Sequence, residues 1–213
     1  MNLNTSDIQF EIRQGIGYIK LYGPKGLNLL TRESIGLFYQ ALLKCKEDKN
    51  CRAVIITGAG EKAFSAGASI DIFSETGQEA VKSIDWSPYG QNVFGVLREL
   101  GKPSIAAVNG LALGGGFEIA LSCTFRVASQ KAKFGLTEIT LGFLPGWGGT
   151  QFLTRLVGKT NAMELILTGD IVDAERAHRL GIVSEVVSQD ELIPKCEALA
   201  KRMMKNSAIF VKS

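Results

Sequence analysis

"KPSIAAVNGLALGGGFEIALSC", residues 102–123, carries the pattern from which the fold is read. "SIAAV" (104–108) is an apolar run of strand length, and beyond Gly116 the residues Phe117, Ile119, Ala120, Leu121 and Cys123 cover most of a helix surface. Gly114, Gly115 and Gly116 open that helix, and Glu118 stands in its first turn, where the pattern otherwise says core. A first turn presents unpartnered backbone N–H groups and a partial positive charge, and glycines let a ligand oxygen come close to them. Close packing of the helix on a strand is the plain alternative. A carboxylate buried there costs roughly several kcal/mol unless it is hydrogen-bonded, neutralised or in use. Glu118 is therefore a candidate functional group, with stabilisation of the helix dipole as its innocent reading.

Similar alternations lie on either side. Apolar runs occur at "AVIIT" (53–57), "FRVA" (125–128) and "IVSEVV" (182–187), separated by segments of helical period at 33–46, 91–100, 150–157, 161–167 and 174–180. "IQFEIRQGIGYIKLY" (8–22) alternates about Gln14–Gly15 and predicts a hairpin. A last helix is predicted over 189–205, opening at Ser188 with Glu191 three residues on as a capping box. Strands alternating with helices argue for an α/β fold with largely parallel pairing. No internal repeat is visible. The polar stretch 74–92, with Trp86, Pro88 and Tyr89, reads either as a mobile lid or as a solvated helix and loop.

With 213 residues, 46% of them hydrophobic, the chain can bury one sizeable core. The net charge is only +3 and the charges are dispersed, so nothing announces a nucleic-acid or membrane partner. Four cysteines without C-x-x-C spacing suit a reducing compartment, and no secretory or membrane-spanning pattern is present; a soluble cytoplasmic protein is expected. His178 is the only histidine, which argues against a multi-histidine metal site or a Ser-His-Asp triad. At "NSAIFVKS" (206–213) apolar residues resume and stop without a capping signal, which suggests that the natural chain continues.

Gly58, Gly60 and Ala63 formally match a dinucleotide-binding fingerprint, but the chain runs on into "FSAGASI" instead of opening a helix on which a pyrophosphate could sit. A nicotinamide enzyme is not expected. A second carboxylate in an apolar setting is Glu138, in "KFGLTEITLGFLPGWGGTQ" (133–151), again ahead of a glycine cluster that opens a helix.

These residues resemble the enoyl-CoA hydratase/isomerase (crotonase) superfamily. "GEKAFSAGASI" (60–70), residues 102–123, "KFGLTEITLGFLPGWGGTQFLTRLVG" (133–158) and "LTGDIVDAERAHRLGIVSEVV" (167–187) stand in the family's order and spacing. The resemblance implies an α/β spiral of repeated ββα units over 1–187, with 188–213 beginning a C-terminal helical region that stops short of the family's last helices. It implies homo-trimers or dimers of trimers. It implies an enoyl-CoA hydratase of fatty acid metabolism that takes an acyl-CoA and needs neither metal nor other cofactor, coenzyme A being part of the substrate.

Residue by residue, Glu118 and Glu138 match the catalytic glutamates, Glu138 as main proton donor and Glu118 as water-orienting base. The N–H groups of Ala68 and Gly115 match the oxyanion-hole donors. Gly146 matches a glycine lining the pocket near the catalytic water. Ala66, the Ala68–Asp71 stretch with Ser69, Ile70 and Asp71, and Lys25, Gly26 and Leu27 match substrate-contacting segments, and Trp147 falls on the pocket.

The chain departs from the family pattern at four places. Ser69 replaces a common Asp, Asp71 stands where hydratases often carry a lysine, Phe152 replaces the usual Arg, and Trp147 occupies a position usually small. The last predicts a narrowed acyl pocket, or plain packing at a helix start. Other reactions of the superfamily, namely isomerisation, decarboxylation and the conversion of cyclic acyl-CoAs, are the nearest rivals, followed by a crotonase-like RNA-binding protein.

Overall fold

The computed structural model describes residues 5–69 and 80–206. The chain opens with the predicted hairpin, β1 (Ile8–Arg13) antiparallel to β2 (Ile16–Leu21), with Ile8 opposite Leu21. Gln14 (φ 52°) and Gly15 (φ 79°) are both left-handed, the turn geometry that matches strand twist in a two-residue connection. Thr31 caps α1 (Arg32–Glu47) by accepting from the Ser34 N–H, and the Ser34 hydroxyl accepts from the Thr31 N–H in return.

The chain then makes the same move three times. β3 (Ala53–Gly58) is followed by β4 (Ala63–Ser65) and α2 (Ala80–Arg98); β5 (Ser104–Val108) by β6 (Leu111–Leu113) and α3 (Gly115–Ser122); β7 (Phe125–Ser129) by β8 (Lys133–Gly135) and α4 (Gly149–Thr168). Each first strand joins a six-stranded sheet in the order β1-β2-β3-β5-β7-β10, and each second strand a four-stranded sheet in the order β4-β6-β8-β9. β9 is Val172–Asp173, α5 is Ala174–Arg179 and β10 is Glu185–Val187. Apart from β1 with β2 and β8 with β9, all pairings are parallel. This is the expected spiral of ββα units. Its repeat is hidden in the sequence because β4, β6 and β8 have three residues each, too few to show a period.

Some boundaries differ from the sequence reading. α2 begins at Ala80, not at residue 91, and carries Pro88 within it; residues 74–79 of the proposed lid lie outside the described residues. The segments 150–157 and 161–167 are one element, α4, broken where Gly158 takes φ 77°, ψ 164°. The final helix, α6 (Leu192–Met204), starts later than Ser188: the Ser188 hydroxyl donates to Glu191 Oε2 at 2.6 Å, closing a turn ahead of the helix.

One buried cluster fills the space between the sheets and helices, from Ile35 and Phe38 of α1 to Phe117 of α3 and Leu153 of α4. α6 covers the opposite face of the large sheet, setting Leu192, Cys196 and Ala200 on Ile16, Ile55 and Ile105. The fingerprint-like Gly58 serves chain packing. A Cβ there would come 2.1 Å from the Ala63 carbonyl oxygen, and the Gly58 N–H donates to Asn109 Oδ1 at 3.0 Å.

Arg126 secures the far end of α3. Its side chain is buried and donates to the carbonyls of Cys123 (2.6 Å), Ala120 (3.4 Å) and Ile182 (2.6 Å). A guanidinium on the last carbonyls of a helix satisfies groups the helix itself leaves unpaired.

Candidate active site

Each of the three glycines ahead of Glu118 has its own reason. Gly114 caps α3 with φ 50°, ψ −126°, and a Cβ on it would come 3.2 Å from Glu138 Oε1. On Gly115 a Cβ would stand 2.2 Å from Trp147 Cζ3, and on Gly116 it would stand 2.2 Å from the Ser65 carbonyl oxygen. Close helix-to-strand packing thus accounts for Gly116. The other two glycines face the site.

Glu118 is 1% exposed. Its Oε1 accepts from the N–H of Trp147 and from the N–H of Gly149, each at 2.8 Å, so the "PGWGG" turn folds its amides around the carboxyl. Burial, and then the neighbouring Glu138, push Glu118 up to about 8, while the amides of Gly149, Trp147 and Gly148 pull the other way. The lift shows that desolvation outweighs the donors.

Glu138 comes from a 3₁₀ turn, Thr137–Leu141, that follows β8 and is closed by Gly142 in the left-handed region. Burial raises this carboxyl as well. Its Oε2 is buried without a hydrogen-bond partner among the described residues. Both carboxyls thus resist ionisation, Glu118 in part because Glu138 is near.

Both line a cavity of about 280 Å³, together with Ala68, Gly115, Gly146 and Trp147. Neither the Ala68 N–H nor the Gly115 N–H donates to an acceptor among the described residues. They come from neighbouring turns of the spiral: a Cβ on Gly67, whose φ is +93°, would stand 2.8 Å from the Leu113 oxygen and 3.5 Å from the Gly115 nitrogen. Two backbone N–H groups without a partner among the described residues and two carboxyls with raised proton affinity thus belong to residues lining one cavity.

Of the remaining sequence-predicted residues, Ala66 lines the cavity, while its N–H donates to the Leu27 oxygen at 2.9 Å. Leu27 is therefore one hydrogen bond away from the cavity wall, and Lys25 and Gly26 precede it in the 3₁₀ turn Pro24–Gly26. Ser69 is buried and its N–H donates to the Leu30 oxygen at 3.0 Å. Ile70 and Asp71 lie outside the described residues. Among the described residues, no group of three or more His, Cys, Asp or Glu is placed to hold a metal, and no helix is long and apolar enough to cross a membrane.

Sequence reasoning missed the apolar rim, Leu141, Phe143 and Leu144, which line the cavity yet are 54%, 45% and 62% exposed. Their signal was present as three large apolar residues in a loop, where burial does not call for them. It also missed that the amides of Trp147 and Gly149, not their side chains, hold Glu118.

The comparisons agree with this geometry. The family described as enoyl-CoA hydratase/isomerase matches residues 11–213. The chain is 38% identical over 206 residues to a crotonyl-CoA hydratase of Syntrophomonas wolfei, covering 97% of this chain and 78% of that one. It is 40% identical over 212 residues to a short-chain-enoyl-CoA hydratase of Clostridium acetobutylicum, covering 100% of this chain and 80% of that one. The crystal structure of an enoyl-CoA hydratase from Bacillus anthracis superposes with a TM-score of 0.90 at 37% identity, covering 96% of this chain and 79% of that one. Fold, cavity and relatives thus converge: the chain belongs to the enoyl-CoA hydratase/isomerase family.

Proposed function

We infer that this chain is an enoyl-CoA hydratase, a hydro-lyase that adds water across the 2,3 double bond of a trans-2-enoyl-CoA thioester. The observation that carries the reading is the pairing of two buried carboxyls, Glu118 and Glu138, in one cavity with two uncommitted backbone donors. Addition at the β-carbon drives negative charge onto the thioester oxygen. The N–H groups of Ala68 and Gly115 hold that oxygen, and each such donor is worth about 3 kcal/mol of transition-state stabilisation.

Water needs one carboxylate to take its proton and one carboxylic acid to supply the α-carbon, so the pair must hold a single proton. The family resemblance gives the base role to Glu118 and the donor role to Glu138. Burial raises both carboxyls, which keeps a proton available to the pair, and a water held between them links the two. The reaction calls for neither metal nor redox cofactor.

Lys25, Gly26, Leu27 and Ser69, beside Ala66, receive the CoA portion of the substrate. The chain works as a homo-trimer or dimer of trimers, for which Met163, Leu167 and Ile171, 45%, 55% and 49% exposed, supply apolar surface. Four free, buried cysteines suit the reducing cytoplasm. The described residues up to 187 belong to the spiral core, and α6 (Leu192–Met204) belongs to a C-terminal helical region.

The test follows the loss of enoyl-thioester absorbance with crotonyl-CoA for the wild type, Glu118→Gln and Glu138→Gln. Each substitution lowers kcat by about 10²–10⁴-fold, the usual worth of a positioned acid or base. Hydration undiminished in both variants, or none by a wild type that binds acyl-CoA, overturns the reading.

A further inference from the structure

Trp147 belongs to two hollows at once. On one side it walls the cavity of about 280 Å³ that holds both glutamates. On the other it backs an open groove of about 650 Å³ lined by Pro145, Arg98 and Phe152, with Phe94 buried behind the indole at its edge. Gly146 is the other residue common to both.

The indole is wedged in this position. A Cβ on Gly90 would stand 2.2 Å from Trp147 Nε1, and a Cβ on Gly115 would stand 2.2 Å from Cζ3, so two glycines clear the space that the ring fills. Phe94 meets it edge-on with centroids 5.3 Å apart at 82°, and 5% of the residue is exposed. The backbone is pinned too: the Trp147 N–H donates to Glu118, and Gln91 Nε2 donates to the Gly146 carbonyl at 2.7 Å. A ring held from several sides is a fixed wall.

We propose that Trp147 sets the acyl-chain length of this site, its indole acting as the partition that ends the cavity and divides it from the Phe94–Phe152 groove. The inference rests on the hydratase reading above and adds the substrate class: short, linear 2-enoyl thioesters. The cavity falls just below the about 300–1,000 Å³ of pockets that take drug-sized ligands, which suits a short acyl group. Removing the indole joins the two hollows and gives a longer tail a path onto two phenyl rings, Phe94 and Phe152, the latter already covered by the Arg98 guanidinium at 4.8 Å.

The experiment measures kcat/KM for trans-2-enoyl-CoAs of four, six and ten carbons with wild type, Trp147→Ala and Trp147→Phe. The wild type favours the four-carbon substrate. In Trp147→Ala the ten-to-four-carbon ratio rises at least about tenfold, the discrimination that a single misplaced methylene commands in an apolar pocket, and Trp147→Phe falls between. A ratio unchanged in a folded variant, or a wild type indifferent to length, overturns the partition. Where the alanine variant does not fold, the phenylalanine variant decides by the same ratio. Should the wild type hydrate no length, the hydratase reading fails separately; calorimetric binding of saturated butanoyl- and decanoyl-CoA to the same proteins then decides the partition by the same shift in preference.

Discussion

Glu118 Oε1 and the Trp147 N–H are 2.8 Å apart, so the residue that walls the cavity also holds the buried carboxyl, and does so through its backbone. The carboxyl's surroundings therefore survive changes to the indole, and its titration can be tested by itself. Glu118 sits at about 8 in the folded chain against about 4.3 in an unfolded one. Between those values the folded state retains a proton that the unfolded state has released, so the stabilising contribution is full below about pH 4.3 and is lost as pH rises towards 8. Glu138, also raised, acts with the same sign. Denaturant melts from pH 5 to 8 show falling stability for the wild type and a flatter profile for Glu118→Gln, whose amide oxygen still accepts from Trp147 and Gly149.

The same shared proton shapes the rate. kcat/KM for crotonyl-CoA is bell-shaped in pH, with the upper arm near pH 8, where the Glu118–Glu138 pair loses its proton. An upper arm that stays in place in Glu118→Gln means that another group sets it.

Gly115→Ala and Gly116→Ala separate chemistry from packing. A methyl on Gly116 meets the backbone oxygen of Ser65 and destabilises the fold by about 1–3 kcal/mol, as overpacking does. On Gly115 the methyl meets the Trp147 ring at the cavity wall, so hydration falls more steeply than stability. Thermal melts beside initial rates check the contrast.

Arg126→Met leaves the carbonyls of Cys123 and Ile182 without their donor in a buried setting. The expected loss is about 1–3 kcal/mol per unsatisfied group, read as a lower denaturant midpoint. Arg126→Lys recovers only part of it, because an ammonium lacks the fork that reaches both carbonyls.

Gly158→Ala tests the break in α4. With φ 77°, ψ 164° and nothing within 4 Å of a new Cβ, the penalty is conformational alone, about 1–3 kcal/mol. Calorimetry should show a lower midpoint with hydration otherwise intact.

The large sheet was legible from its strands because β3 and β5 are mostly apolar runs and β7 one interrupted by Arg126, and α1 and α3 from their periods. The second sheet was not, since β4, β6 and β8 are anchored by neighbours instead of by pattern. Glu118 was legible as a carboxylate out of place in a buried helix. Glu138 was weaker, because a turn carboxylate is ordinary until the fold sets it beside Gly114. That Trp147 and Gly149 hold Glu118 by their amides leaves no mark on side-chain chemistry. The amides at the glycine-opened start of α3, Gly115 among them, were legible as a place for an oxygen, whereas only the resemblance pointed to Ala68.

The small sheet also works as a ruler. Ala68 follows β4, Gly115 and Glu118 follow β6, and Glu138 follows β8, and these three strands are hydrogen-bonded neighbours. Parts of the site that follow adjacent strands are thus stepped by the spacing of a β-ladder, about 4.8 Å, a length that backbone hydrogen bonding keeps constant. Side chains can be exchanged around the cavity to suit another acyl group while donors and carboxyls keep their separation. A slip of a single residue in these short ladders, about 3.3 Å along the strand, would put the two carboxyls and the two backbone N–H groups out of step together.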